Sequence, residues 1–255
     1  MDARRDDVGN RPALQSPRFY VDAVLRAGGS CLLPEDSAHH AVHVMRLREG
    51  DEATLFNGRG GEYAARVASI QRLRVSFDVM QHHAIERESP LRMVLVQGVS
   101  SSDRMDYTVR KAVELGVAAI YPVLATRSVA RPKGERADNR RAHWQKVAIS
   151  ACEQCGRNRI PEVQPLLSVD AALRESLEGF KFLLSPRSEL AFSKSIPAAA
   201  SFVFAAGPEA GFDADEEAAF AKAGYLPLKL GARVLRTETA ALAALAALSA
   251  LRGDF

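Results

Sequence analysis

From Leu91 onward, apolar runs of strand length alternate with amphipathic runs of helix length, and this alternation constrains the chain more than any other feature. RMVLVQGV reads as a buried strand, and DRMDYTVRKAVELGV as a helix closed by Gly116. AAIYPVLA is a second strand, and ADNRRAHWQKVAISACEQCG a long helix. KFLLSP and FVFAAGP are further strands, DADEEAAFAKAG is a helix with an acidic first turn, YLPLKLG is a short strand and TETAALAALAALSAL closes the series as a helix. Such alternation predicts an α/β domain with a mostly parallel sheet.

The pattern before residue 89 is different. Residues 1–16 are polar and aperiodic, which predicts a disordered arm. RFYV, CLL, EATLFN, EYAARVASI and LRVSFDVM are short strands with turn signals between them, GG and GRGG included. EDSAHHAVHVMRL reads as a helix capped by Asp36 or Ser37. Residues 17–88 therefore predict a small barrel or strongly bent sheet, and 89–255 the α/β domain. A chain that is 47% hydrophobic and 25% charged has enough apolar material for a core, which excludes a disordered chain. Three cysteines exclude a disulfide framework. The longest apolar run, Ala240–Leu248, falls short of a membrane span, and no signal peptide is visible, so the expected location is cytoplasmic.

Net charge is small, with 34 Lys+Arg against 31 Asp+Glu, but it is unevenly spread. Residues 127–159 hold nine basic groups, from Arg127 to Arg159, opposed by Glu135, Asp138 and Glu153. That local excess suits either a solvated helix face or the footprint of a polyanion. Cys152 and Cys155 are one helical turn apart and have no second pair, so no zinc site is expected. His39, His40 and His43 have helical spacing without an acidic or cysteine partner, so no metal is expected there either.

Two stretches carry the chemistry. In FAAGPEAGF, residues 204–212, a strand runs into a glycine-rich turn before a helix, and ligands of open α/β sheets bind at such carboxyl ends. It is neither GxGxxG nor a Walker A loop. In LKLGARVLRTETAAL, residues 228–242, a second strand leads to Arg236 at a helix start. Thr237 or Thr239 suits a cap there. An arginine in that place opposes the helix dipole, which points to a ligand role.

GPEAGF followed by LGARVLRTETA resembles the signature of the RsmE-type ribosomal RNA uridine-N3 methyltransferases of the SPOUT superfamily. RKAVELGVAAIYPV, the stretch from Trp144 to Pro161 and HHAVHVMRLREGDEATLFNGRGGEYAARV are similar to other parts of that family, so the resemblance spans nearly all of residues 18–252. Ala210 stands where the family usually has glycine, and Cys155 where serine is more usual. The resemblance implies a PUA-like RNA-binding barrel before an α/β domain with a C-terminal deep trefoil knot. It implies S-adenosylmethionine held by Leu184, Ala206, Gly207, Pro208, Glu209, Gly211, Leu230, Gly231, Val234, Leu235 and Thr237.

The implied reaction is methyl transfer to N3 of a uridine in 16S ribosomal RNA, within the 30S subunit. Arg236 is expected to stabilise charge on the uracil carbonyls, and Glu209 or Glu238 to take the proton or orient the base. Arg18, His40, Arg46, Arg127, Arg131 and Arg157 are expected to face RNA. A homodimer is implied as well. The competing readings are a ribose 2′-O-methyltransferase of the same fold and an inactive RNA-binding or assembly factor, the latter favoured only by Ala210.

Overall fold

The computed structural model describes residues 16–129, 131–253 and 255. The expected arm at 1–16 lies outside these except for Ser16. The chain divides into two compact units, one ending at Glu86 and one beginning at Arg87.

The first unit is a five-stranded mixed sheet of β1 (Arg18–Tyr20), β2 (Ser30–Leu32), β3 (Glu52–Phe56), β4 (Glu62–Gln71) and β5 (Arg74–His83). The order is β1-β3-β4-β5-β2, with β1 parallel to β3 and the other pairs antiparallel. Among the described residues no ladder joins β2 to β1, so hydrogen bonding does not close the expected barrel. Register shifts at Ala64/Ala65 and Val67/Ser69 mark bulges, which bend a ladder. Alternate residues of β4 and β5, among them Ala65, Val67, Val75, Phe77 and Val79, build the core with Phe19 and Leu55.

The helix of this unit departs from expectation at both ends. It starts at Glu35 behind Pro34, with no side-chain cap, so Asp36 and Ser37 lie inside the first turn. Proline supplies the extended N-cap backbone, and the acidic Glu35 and Asp36 suit the positive end of the helix dipole. After α1 (Glu35–His39) the chain widens into a π turn over His40–Val44. Arg46 then takes the left-handed conformation, with φ 56°, and the helix stops before Leu47.

The second unit is an all-parallel seven-stranded sheet. Its strands are β6 (Arg92–Gly98), β7 (Ala119–Leu124), β8 (Glu162–Val163), β9 (Leu167–Ser168), β10 (Phe180–Leu184), β11 (Ser201–Ala206) and β12 (Leu226–Leu228). The order is β12-β10-β11-β6-β7-β8, with β9 also on β7. The helices are α2 (Ser102–Glu114), α3 (Glu135–Cys155), α4 (Val169–Arg174), α5 (Phe192–Ser195), α6 (Ala214–Lys222) and α7 (Thr237–Arg252). The central strands are buried on both faces, as their unbroken apolar runs require. Gly116 and Gly156 take positive φ just past the ends of α2 and α3. Asp213 and Glu216 form the reciprocal capping box of α6, and Glu216 Oε1 also accepts the Thr126 N–H at 2.7 Å. The last helix buries Ala241, Ala244, Leu245 and Leu248 on one face and packs on α2, β6 and β11. Leu251, near the end of the helix, is half exposed.

Candidate active site

The carboxyl ends of β10, β11 and β12 and the start of α7 enclose a cavity of about 300 Å³. Three loops wall it. The loop after β10 brings Leu184, Ser185, Pro186 and Arg187, and the loop after β11 brings residues 206–212. The loop after β12 brings Leu230, Arg233, Val234 and Leu235. Open parallel sheets form ligand crevices at this edge, because each strand hands over there to an irregular connection. Ten of the eleven residues assigned to the cofactor from sequence line the cavity. Gly231, the exception, shapes the loop by its φ of 93°.

Two close approaches fix the floor. A Cβ on Gly98, at the end of β6, would stand 2.4 Å from Pro208 N and 2.5 Å from its Cδ. Glycine is therefore what lets β6 pass under the 207–208 turn. Thr237 is the first residue of α7, not its cap, since Arg236 holds the N-cap position without a side-chain hydrogen bond. The Thr237 hydroxyl donates to the Gly207 carbonyl at 2.5 Å and accepts from Gln97 Nε2 at 2.9 Å. One buried hydroxyl thus ties α7, β6 and the glycine loop together.

Beside this clasp stand two carboxylates and a cation. Arg104, on the first turn of α2, reaches Glu209 at 3.2 Å and Glu238 at 4.0 Å. Glu209 Oε1 also accepts the Ser101 N–H at 2.8 Å. Burial raises the Glu209 carboxyl pKa, but the Ser101 hydrogen bonds and the Arg104 charge outweigh it, so the net shift is downward. The second oxygens of both, Glu209 Oε2 and Glu238 Oε2, are buried without a hydrogen-bond partner among the described residues. Buried acceptors in that condition are expensive, and an incoming donor would satisfy them. Arg236 is exposed and makes no hydrogen bond or ion pair among the described residues, so its charge is available. Sequence reading missed Arg104, and only the DRMDY start of its helix, a few residues after a strand end, hinted at it.

Ala210 does not disturb the loop. It is exposed, it avoids the left-handed region, and its carbonyl accepts from Arg127 Nη1 at 3.3 Å. The reading of an inactive binding factor loses its sequence support with this observation.

The residues expected to face RNA fall into two groups. His40 and Arg46 are exposed, as is Arg131, whose guanidinium rests on the Ala125 and Thr126 carbonyls. Arg127 is exposed too, but at the rim of the cavity. Arg18 and Arg157 are corrections. The Arg18 side chain is 7% exposed, lies over the Phe56 ring and pairs with Glu62 at 2.6 Å. Arg157 is 4% exposed; it pairs with Glu88 and donates to the Val113 and Val117 carbonyls at the end of α2. An arginine so enclosed is held by its carboxylate and offers no surface charge.

The comparisons agree with this architecture. The family description "RNA methyltransferase domain" matches residues 87–249, and "RNA methyltransferase PUA domain" matches residues 33–80. The chain belongs to the RNA methyltransferases that combine these two domains. A full-length relative is the ribosomal RNA small subunit methyltransferase E of Buchnera aphidicola from Acyrthosiphon pisum, 30% identical over 94% of this chain and 95% of that one. The enzyme of that name from Neisseria gonorrhoeae, solved bound to S-adenosylmethionine, is 40% identical with a TM-score of 0.87, covering 94% of this chain and 99% of that one. A Legionella pneumophila chain, also solved with S-adenosylmethionine, is 34% identical with a TM-score of 0.91, covering 95% and 100%.

Proposed function

We propose that the protein methylates N3 of a uridine in 16S ribosomal RNA, with S-adenosylmethionine as the methyl donor. The observation that carries this reading is the cavity at the ends of β10–β12, lined by Glu209, Leu235 and Thr237, with the exposed Arg236 between the last two in sequence. Its volume of about 300 Å³ and its apolar walls Leu184, Leu230 and Leu235 fit a nucleoside-sized group. Gly211, at φ 69° with nothing within 4 Å of where a Cβ would stand, leaves its backbone open to a ligand. Relatives that bind S-adenosylmethionine at 34% and 40% identity support the same choice.

The cofactor supplies an electrophilic methyl group on a sulfonium. The protein must hold uracil N3 in line with it and relieve N3 of its proton. Glu209 is a poor base, because its carboxylate is held below the usual pKa and one oxygen is committed to Ser101. Glu238 is the better acceptor, with its unpartnered Oε2 taking the N3 proton as the N–C bond forms. Arg104 keeps both carboxylates in place, and Arg236 stabilises negative charge on the flanking carbonyl oxygens.

Three finer readings accompany this one. The C-terminal chain is taken to be knotted, which is supported by α7 returning from the edge strand β12 to pack on the central β6 and β11. A homodimer is implied by the family resemblance, and the half-exposed Leu251 of α7 suits an apolar contact. The assembled 30S subunit, in the cytoplasm, is the expected substrate. No helix among the described residues is long and apolar enough to cross a membrane.

Labelled S-adenosylmethionine and small ribosomal subunits from a strain lacking the activity test the reading. Label is expected in 3-methyluridine, and Arg236→Ala should lower kcat by roughly 10²–10³ while cofactor affinity stays within twofold. Label in a 2′-O-methyl nucleoside refutes the N3 assignment.

A further inference from the structure

Away from the cofactor cavity, the methyltransferase unit carries a second concavity of about 600 Å³, lined by Ser102, Arg131, Arg136, Asn139, Arg140 and His143. Four of these come from one helix at i, i+3, i+4 and i+7, so the N-terminal half of α3 presents them as a single face. Ser102 opens α2 opposite that face, and Arg131 enters from the loop before α3.

The charges here are uncompensated. Arg131, Arg136 and Arg140 form no ion pair among the described residues, whereas Arg141 on the adjacent side of the same helix pairs with Glu162 at 3.4 Å. Arg140 Nη1 donates to Ser102 Oγ at 2.7 Å, and Arg131 rests on backbone carbonyls. Both guanidiniums are therefore held in place by neutral acceptors and keep their full charge. No carboxylate lines the groove among the described residues, and Asp106, which meets the groove residue His143, is bonded to it at 2.8 Å. Two held arginines and a third, Arg136, that forms no ion pair among the described residues make a site for a polyanion, and arginine's planar fork suits phosphate oxygens.

The groove adjoins the reacting centre through two consecutive residues. Ser102 Oγ binds Arg140 of the groove, and the Ser101 N–H binds Glu209 of the cofactor loop. A nucleotide whose base leaves its stack to reach the cavity needs its neighbouring phosphates gripped close by. We propose that Arg131, Arg136 and Arg140 form a phosphate site that holds the RNA backbone beside the target nucleotide. This deepens the proposed function and rests on it.

The test uses the full chain and a single-stranded uridine-containing RNA of about 20 nucleotides, with binding followed by anisotropy at increasing KCl. Each lost phosphate contact should reduce the slope of log K against log salt by about 0.7. Arg136→Glu with Arg140→Glu is expected to weaken binding at least tenfold at low salt and to remove about 1.4 from the slope. Arg136→Lys with Arg140→Lys should keep the slope, because the charges remain. Arg136→Gln with Arg140→Gln, which adds no repulsion, should lose the same slope as the glutamates. Cofactor affinity by calorimetry should stay within twofold throughout. A slope in the glutamate and glutamine variants equal to that of a wild type that binds the RNA overturns the groove alone. A parallel loss of cofactor affinity overturns it too, because the arginines would then act through the fold. A wild type that binds no such RNA overturns the phosphate site, whereas failure of the same preparation to methylate 30S subunits overturns the proposed function.

Discussion

Gly98→Ala isolates the packing under the cofactor loop from everything else in the site. Gly98 does not line the cavity, and its φ lies outside the left-handed region, so alanine brings no backbone strain. It brings only a methyl group, 2.4 Å from Pro208 N and 2.7 Å from the Gly207 carbonyl carbon. Ordinary contact begins at 3.4 Å, so the 207–208 backbone must retreat by about 1 Å. Backbone is poor at yielding, and overpacking of this kind costs roughly 1–3 kcal/mol. At ~2–4 °C per kcal/mol for a chain of this size, the melting temperature should fall by roughly 2–12 °C. The larger effect is functional, since a displacement of about 1 Å in a positioning loop can cost as much as ~100-fold. Calorimetric titration of S-adenosylmethionine into the folded variant should show affinity weakened at least tenfold. A variant with wild-type melting temperature and cofactor affinity would show that the glycine loop does not rest on β6, and the account of the cavity floor would fail.

Two further substitutions probe other parts of the same unit. Thr237→Val removes the hydroxyl that joins Gly207 to Gln97 and leaves a buried amide short of one acceptor, so chemical denaturation should report a loss of roughly 1–3 kcal/mol; an unchanged midpoint would mean the clasp is decorative. Burial pushes the Tyr225 phenol up to about 12, above its ordinary value near 10, so the unfolded chain ionises first. Stability should therefore be full below pH 10 and fall between pH 10 and 12, and Tyr225→Phe should flatten the urea midpoint over that range; an equally steep wild-type and variant profile would refute the assignment.

Much of the methyltransferase unit was legible because its elements are long and periodic. The acidic first turn of α6, the Gly116 stop and the two cofactor stretches each depend on residues close together in sequence. What escaped depends on distant residues meeting. Arg104 lies 105 positions from Glu209 and 134 from Glu238, and nothing local announces the bridge. Arg18 and Arg157 look like surface charge until Glu62 and Glu88 arrive from elsewhere in the fold. The strands β8 and β9 span two residues each, too short for any period to appear. The start of α1 was misplaced because Asp36 and Ser37 are stronger cap residues than Pro34, and the acidic pair serves the dipole instead.

The pairing of β6 with β11 sets a kinetic condition on the molecule. Their register joins Arg92 to Ser201, 109 positions apart, and closing a loop of that length costs about 4 kcal/mol before any contact repays it. Until β11 arrives, β6 must wait with the run MVLVQG uncovered on one edge, a segment of high strand propensity and no charge. Slow refolding with concentration-dependent aggregation is the consequence to expect, and it is avoided in proportion to how quickly the central pair of the sheet can form.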